Sequence, residues 1–80
     1  MIVYLEWADS CSLDGWTAPG ELHLPPDICR SVGKVIHEPT QDEPWWTICG
    51  DWGETDEHDV ARIMTIPAGM VQGEPKILQT

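Results

Sequence analysis

Five tryptophans in 80 residues are the first chemically pointed feature of this chain. They are Trp7, Trp16, Trp45, Trp46 and Trp52. Neighbours on a strand face opposite sides, so one of Trp45 and Trp46 is expected in the core and the other toward solvent or a neighbour. An exposed indole offers a stacking surface to a nucleobase, at about 1–3 kcal/mol per base, or an anchor for a partner protein. Core packing and a subunit contact are the plainer uses. Arg30 and Lys34 lie close together on one strand. Repeated around a ring of subunits, they would gather positive charge that could meet phosphates; singly, such basic residues form a solvated face. Asp9-Ser10, with Gly15-Trp16, would line a pocket at the end of the first strand, Asp9 clamping a ligand's hydroxyls. The plainer reading is a turn in which Asp9 accepts backbone N–H groups. Trp7, Asp9, Ser10, Trp16, Arg30, Lys34, Trp45 and Trp46 form the candidate ligand-binding set.

The run Asp51, Glu54, Asp56, Glu57 and Asp59 invites a calcium reading. An EF-hand loop needs Gly at its sixth position, and counting from Asp51 that position is Asp56. The run reads instead as a solvated loop, or as a surface for a basic protein partner. Cys11, Cys29 and Cys49 form no Cys-x-x-Cys pair and no zinc-like spacing. They read as reduced thiols serving as small apolar groups. Cys29 beside Arg30 could have a lowered thiol pKa, but a structural role is favoured. His23, His37 and His58 are widely separated and lie in no nucleophile motif. There is no phosphate-binding loop and no dinucleotide fingerprint. No enzyme activity, metal or cofactor is expected.

Composition narrows the partners. Four Lys+Arg against fourteen Asp+Glu give a formal net charge of −10, which opposes binding to long nucleic acid, a process driven by cationic counterion release. At 41% hydrophobic residues the chain is not a disordered acidic tail. No apolar run reaches the length of a membrane span. Met1–Trp7 lacks a basic region and meets Glu6 at once, so it does not read as a signal peptide. Eighty residues make one domain, residues 1–80. A core of that size supplies only about 3–5 kcal/mol, so assembly with further copies is expected.

The elements that would position these residues are strands. Ile2–Trp7 is β-branched and aromatic. Residues Cys11–Pro26 carry Gly15, Pro19, Gly20, Pro25 and Pro26, too many breakers for a helix. They read as a long ordered loop pinned by Trp16 and by Leu22 or Leu24. Asp27–Cys29 reads as a single turn. Further strands follow at Ser31–Glu38, Trp45–Cys49, Val60–Ile66 and Lys76–Leu78, with a 3₁₀ turn at Pro67–Met70. Gly33, inside the second strand, signals a bulge or a close backbone approach. The order of elements is that of an all-β, strongly bent, five-stranded SH3-like or Sm-like barrel with a long first loop and one 3₁₀ turn. Its free edges suit homo-oligomers.

Glu6-Trp7-Ala8-Asp9-Ser10, then Gly15-Trp16, Cys29-Arg30-Ser31-Val32-Gly33 and Thr65-Ile66-Pro67-Ala68-Gly69-Met70, form an ordered set. In this the chain resembles a group of small bacteriophage-encoded proteins without an assigned activity. Trp45-Trp46 and the acidic stretch stand outside the pattern. The resemblance implies phage origin and a location in the host cytoplasm.

Three functions follow as expectations. The first is a non-enzymatic homo-oligomer that sequesters a small host ligand, a nucleotide-type immune signal, to counter host defence. The second is an acidic inhibitor of a basic, nucleic-acid-binding host protein, acting through Asp51, Glu54, Asp56, Glu57 and Asp59. The third is a structural or accessory phage protein.

Overall fold

The computed structural model describes residues 1–10, 16, 19–21, 25–53 and 59–80. Their strands are β1 (Ile2–Asp9), β2 (Asp27–His37), β3 (Trp45–Trp52), β4 (Val60–Pro67) and β5 (Lys76–Gln79). They form one antiparallel sheet in the order β4-β3-β2-β1-β5. A 3₁₀ turn at Ala68–Met70 precedes β5, as the sequence predicts. A second, at Pro19–Glu21, lies in the long first loop and was not expected.

β1 alternates cleanly. Val3 and Leu5 are fully buried and Trp7 packs against the core, while Tyr4 and Glu6 face away. β2 pairs with it without a break, from Ile2 opposite Lys34 to Asp9 opposite Asp27. The turn expected at Asp27–Cys29 is therefore strand. Pairing with Ala8 and Trp7 overrides the local signal, and Pro25-Pro26 precedes the ladder, where a missing N–H costs no sheet bond. Two like charges opposite each other are unfavourable, and the Asp9–Asp27 pair marks where the ladder stops.

Val3 and Leu5 from β1, Ile48 from β3 and Ile66 from β4 make up one buried cluster. On a flat sheet β1 and β4 would stand about 14 Å apart. Their contact requires the sheet to fold over itself, which is the strong bend expected. β2 makes the bend. Its ladder to β3 runs only through Lys34–Cys49, Val35–Ile48 and, after a bulge, His37–Thr47. Gly33 is buried at this crossing. A Cβ there would stand 2.8 Å from the Cys49 carbonyl oxygen and 3.1 Å from Ile48 Cβ. Of the two expectations for Gly33, close approach is the one realised.

The segment after β4 crosses to β1. The Ala68 N–H donates to the Pro44 carbonyl at 2.9 Å, and the Gln72 N–H to the Glu6 carbonyl at 2.7 Å. Val71 forms an isolated bridge with Trp7. β4 and β5 remain the two outer strands and do not pair with each other, so the sheet is bent but not closed.

Gly33→Ala should lower stability by about 1–3 kcal/mol through overpacking. Gly20→Ala, where nothing lies within 4 Å of the added carbon, should leave the thermal midpoint unchanged.

Candidate functional site

The outer face of β2-β1-β5 is defined by register. Tyr4 stands opposite Val32 on one side and Lys76 on the other; Glu6 stands opposite Arg30, and Ile2 opposite Lys34. Opposed residues in an antiparallel pair share a face, and residues two apart on a strand share it too. Arg30, Lys34 and Lys76, three of the chain's four basic residues, therefore lie on one face around Tyr4.

Tyr4 is the centre of this group. Its hydroxyl donates to Glu6 Oε1 at 2.7 Å, and Arg30 Nε lies 3.7 Å from the same oxygen. Lys76 Nζ stands 5.5 Å from the Tyr4 ring centroid, within cation–π range. The hydrogen bond to Glu6 holds the Tyr4 phenol above its ordinary pKa; partial desolvation and the Glu6 charge act in the same direction, and Arg30 opposes them. Beside the ring is a cavity of about 230 Å³ lined by Tyr4, Glu6, Gln72, Gly73, Glu74 and Lys76. Gly73, at φ 70°, takes the left-handed conformation that turns the chain onto this face. Lys34 lies further along, with its Nζ 5.6 Å from the Trp52 ring centroid.

The other predicted residues are spread over the molecule. Trp7 is half-buried on the core side and donates from Nε1 to Ser31 Oγ at 3.1 Å. Asp9 and Ser10 are exposed; Asp9 Oδ1 accepts the Ser10 N–H at 2.9 Å, the ordinary turn arrangement. Trp16 is fully exposed and does not pin the first loop, contrary to expectation. Leu22 and Leu24, the other residues expected to pin that loop, lie outside the described residues. Trp46 packs against the core, whereas Trp45 stands beside His37, with ring centroids 5.5 Å apart. Both rings are half-buried. Of the eight candidates, Arg30 and Lys34 share the cationic face. Tyr4, Glu6 and Lys76 complete it and were not anticipated. The alternation of Tyr4 and Glu6 with Val3 and Leu5 was the signal for two of them.

Cys49 is buried and Cys29 half-buried, and both are free thiols. No cluster of metal-ligating side chains occurs among the described residues. Of the acidic run, Asp51, near the end of β3, and Asp59, just before β4, are exposed, while positions 54, 56 and 57 lie outside the described residues. Asp51 is already engaged. Arg62 donates to it from Nε at 2.7 Å and from Nη2 at 3.0 Å. Arg62 adopts φ 53°, a left-handed conformation unusual for a residue with a side chain. Its guanidinium lies over Gly50, where a Cβ would come within 2.8 Å of Nη2. These hydrogen bonds hold the Asp51 carboxyl below its ordinary value, and the Arg62 charge adds to the effect.

Two titrations check these contacts. Tyr4 is the chain's one tyrosine, so its alkaline absorbance change reads this site alone; the midpoint should lie above 10 and fall in Glu6→Gln. Asp51 has a depressed pKa in the folded state. Its contribution to stability is complete above the ordinary value of 3.8 and is lost as pH falls through the lower folded value. The difference in thermal midpoint between wild type and Asp51→Asn should therefore be constant near neutrality and vanish only below about pH 4.

Comparisons with known protein families, curated sequences and solved structures gave no match.

Proposed function

We propose that the chain is a non-enzymatic, homo-oligomeric binding protein that takes up a small nucleotide-type ligand on the outer face of β2-β1-β5. The observation that carries this reading is the gathering of Arg30, Lys34 and Lys76 around Tyr4 in a chain of net charge −10. Phosphate oxygens match the two cationic types, and the Tyr4 ring supplies a face for a base. Glu74, which lines the same cavity, accepts hydrogen bonds from ribose hydroxyls or a base amine. The cavity of about 230 Å³ is smaller than the roughly 300 Å³ at which ligand pockets begin. A second subunit would supply the missing wall.

The same reading includes an SH3-like or Sm-like barrel whose closing seam is open, and a phage accessory protein acting in the host cytoplasm on a host immune signal. The inhibitor reading is weaker, because Asp51, the first acid of its proposed surface, is held by Arg62.

Thermal melts with cyclic and ADP-ribose-type nucleotides test the proposal. A ligand at a hundred times its Kd stabilises by about 2.7 kcal/mol, a rise of roughly 10 °C or more for a domain this small. Arg30→Ala and Lys76→Ala should remove the rise. No shift with any of these nucleotides at millimolar concentration overturns the proposal.

A further inference from the structure

We infer that the outer face of β2-β1-β5 selects a nucleotide whose phosphate is a diester, with a single negative charge, over one ending in a phosphate monoester or a polyphosphate. This rests on the nucleotide reading of that face and adds the class of phosphate it takes.

The register settles which charges belong to the face. On β1, Tyr4 and Glu6 stand on it, while Asp9 follows Val3 and Leu5 onto the other side, with Asp27 opposite. β2 contributes Arg30 and Lys34, β5 contributes Lys76, and the turn before β5 contributes Glu74. Among the described residues, three cations thus meet two carboxylates, a surplus of one positive charge. Asp51, on β3 beside β2, does not alter this balance, because Arg62 holds it.

The cations keep donors to offer. Arg30 Nε stands 3.7 Å from Glu6 Oε1, too far for a hydrogen bond, and the Arg30 side chain is 65% exposed. Lys76 and Lys34 lie near the rings of Tyr4 and Trp52. A ring attracts an ammonium by its charge and leaves N–H donors for an oxyanion. The carboxylates stand beside the same cations. Glu6 is fixed next to Arg30 by the Tyr4 hydroxyl, which it accepts at 2.7 Å, and Glu74 lines the cavity with Lys76.

A diester brings one charge, which cancels the surplus. A monoester carries about −1.5 to −2 at pH 7, so its further charge meets Glu6 and Glu74 with no cation left to offset it. A polyphosphate adds more of the same repulsion. Two like charges about 7 Å apart in water change affinity by about threefold at low salt, and by more where the effective dielectric is lower.

Calorimetric titration of the full chain at low salt tests this. The ligands are the cyclic monophosphate, the linear monophosphate and the triphosphate of adenosine and of guanosine. For whichever base binds, the cyclic form should bind at least about threefold more tightly than the linear monophosphate, and the triphosphate most weakly. Glu74 is exposed, so Glu74→Gln should keep the fold. It should narrow the gap between cyclic and linear forms by about threefold, and contacts it loses with every ligand cancel in that ratio. An equal or reversed order, or a gap that Glu74→Gln leaves unchanged, overturns the diester selection and leaves nucleotide binding standing. So does failure of all six to bind while an ADP-ribose-type nucleotide shifts the melt. No shift from any nucleotide overturns both.

Discussion

β2 passes over β3 with no room for a side chain at residue 33, and the rest of the molecule follows from that approach. The Gly33 backbone lies against Ile48 and the Cys49 carbonyl. Only because the strands come so close can the sheet fold there and bring Ile66 of β4 onto Val3 and Leu5 of β1. Four side chains form this cluster, with Trp7, Val35, Trp46 and Val71 packed around it. Fully burying one such aliphatic side chain contributes about 1.5–3 kcal/mol, so the cluster is strong for its number but has few members. The bonds from Ala68 to Pro44 and from Gln72 to Glu6 then hold the returning chain in place.

The bend also sorts the charges. One side of β1 goes to the core, which leaves Tyr4 and Glu6 on a face that β2 and β5 furnish with cations. The chain's strong negative charge therefore does not describe this face. Its fourth cation, Arg62, is consumed by Asp51 at the other end of the sheet. Exposed carboxylates nearby are screened over about 8–10 Å at ordinary ionic strength. Within that range Glu6, 3.7 Å from Arg30, and Glu74, lining the cavity beside Lys76, offset part of the positive charge of this face.

The strands were legible in the sequence because alternation and β-branching are local signals; Ile2–Trp7 and Val60–Ile66 are read almost to their ends. The glycine at 33 was legible as an anomaly inside a strand. What the sequence concealed depends on partners distant along the chain. Asp27–Cys29 follows two prolines and looks like a turn, yet β1 captures it. Trp16 looks like a loop anchor, yet whether an indole is buried depends on what surface arrives beside it. The cationic face was half visible. Arg30 and Lys34 are four residues apart on one strand, but Lys76 joins them only through the pairing of β5 with β1, which no local pattern encodes. Closure of the sheet was a fold-level expectation, and the pairing stops short of it.

Gly50, Asp51 and Arg62 have a consequence for how this fold can vary. The guanidinium occupies the space a Cβ at 50 would fill, its left-handed backbone is unfavourable for any residue but glycine, and the carboxylate at 51 is what holds it. None of the three is independently replaceable without altering the environment of the other two. In related chains they should covary as a set, with glycine appearing at 62 wherever the acid at 51 is lost, because the strained conformation then has nothing to offset it.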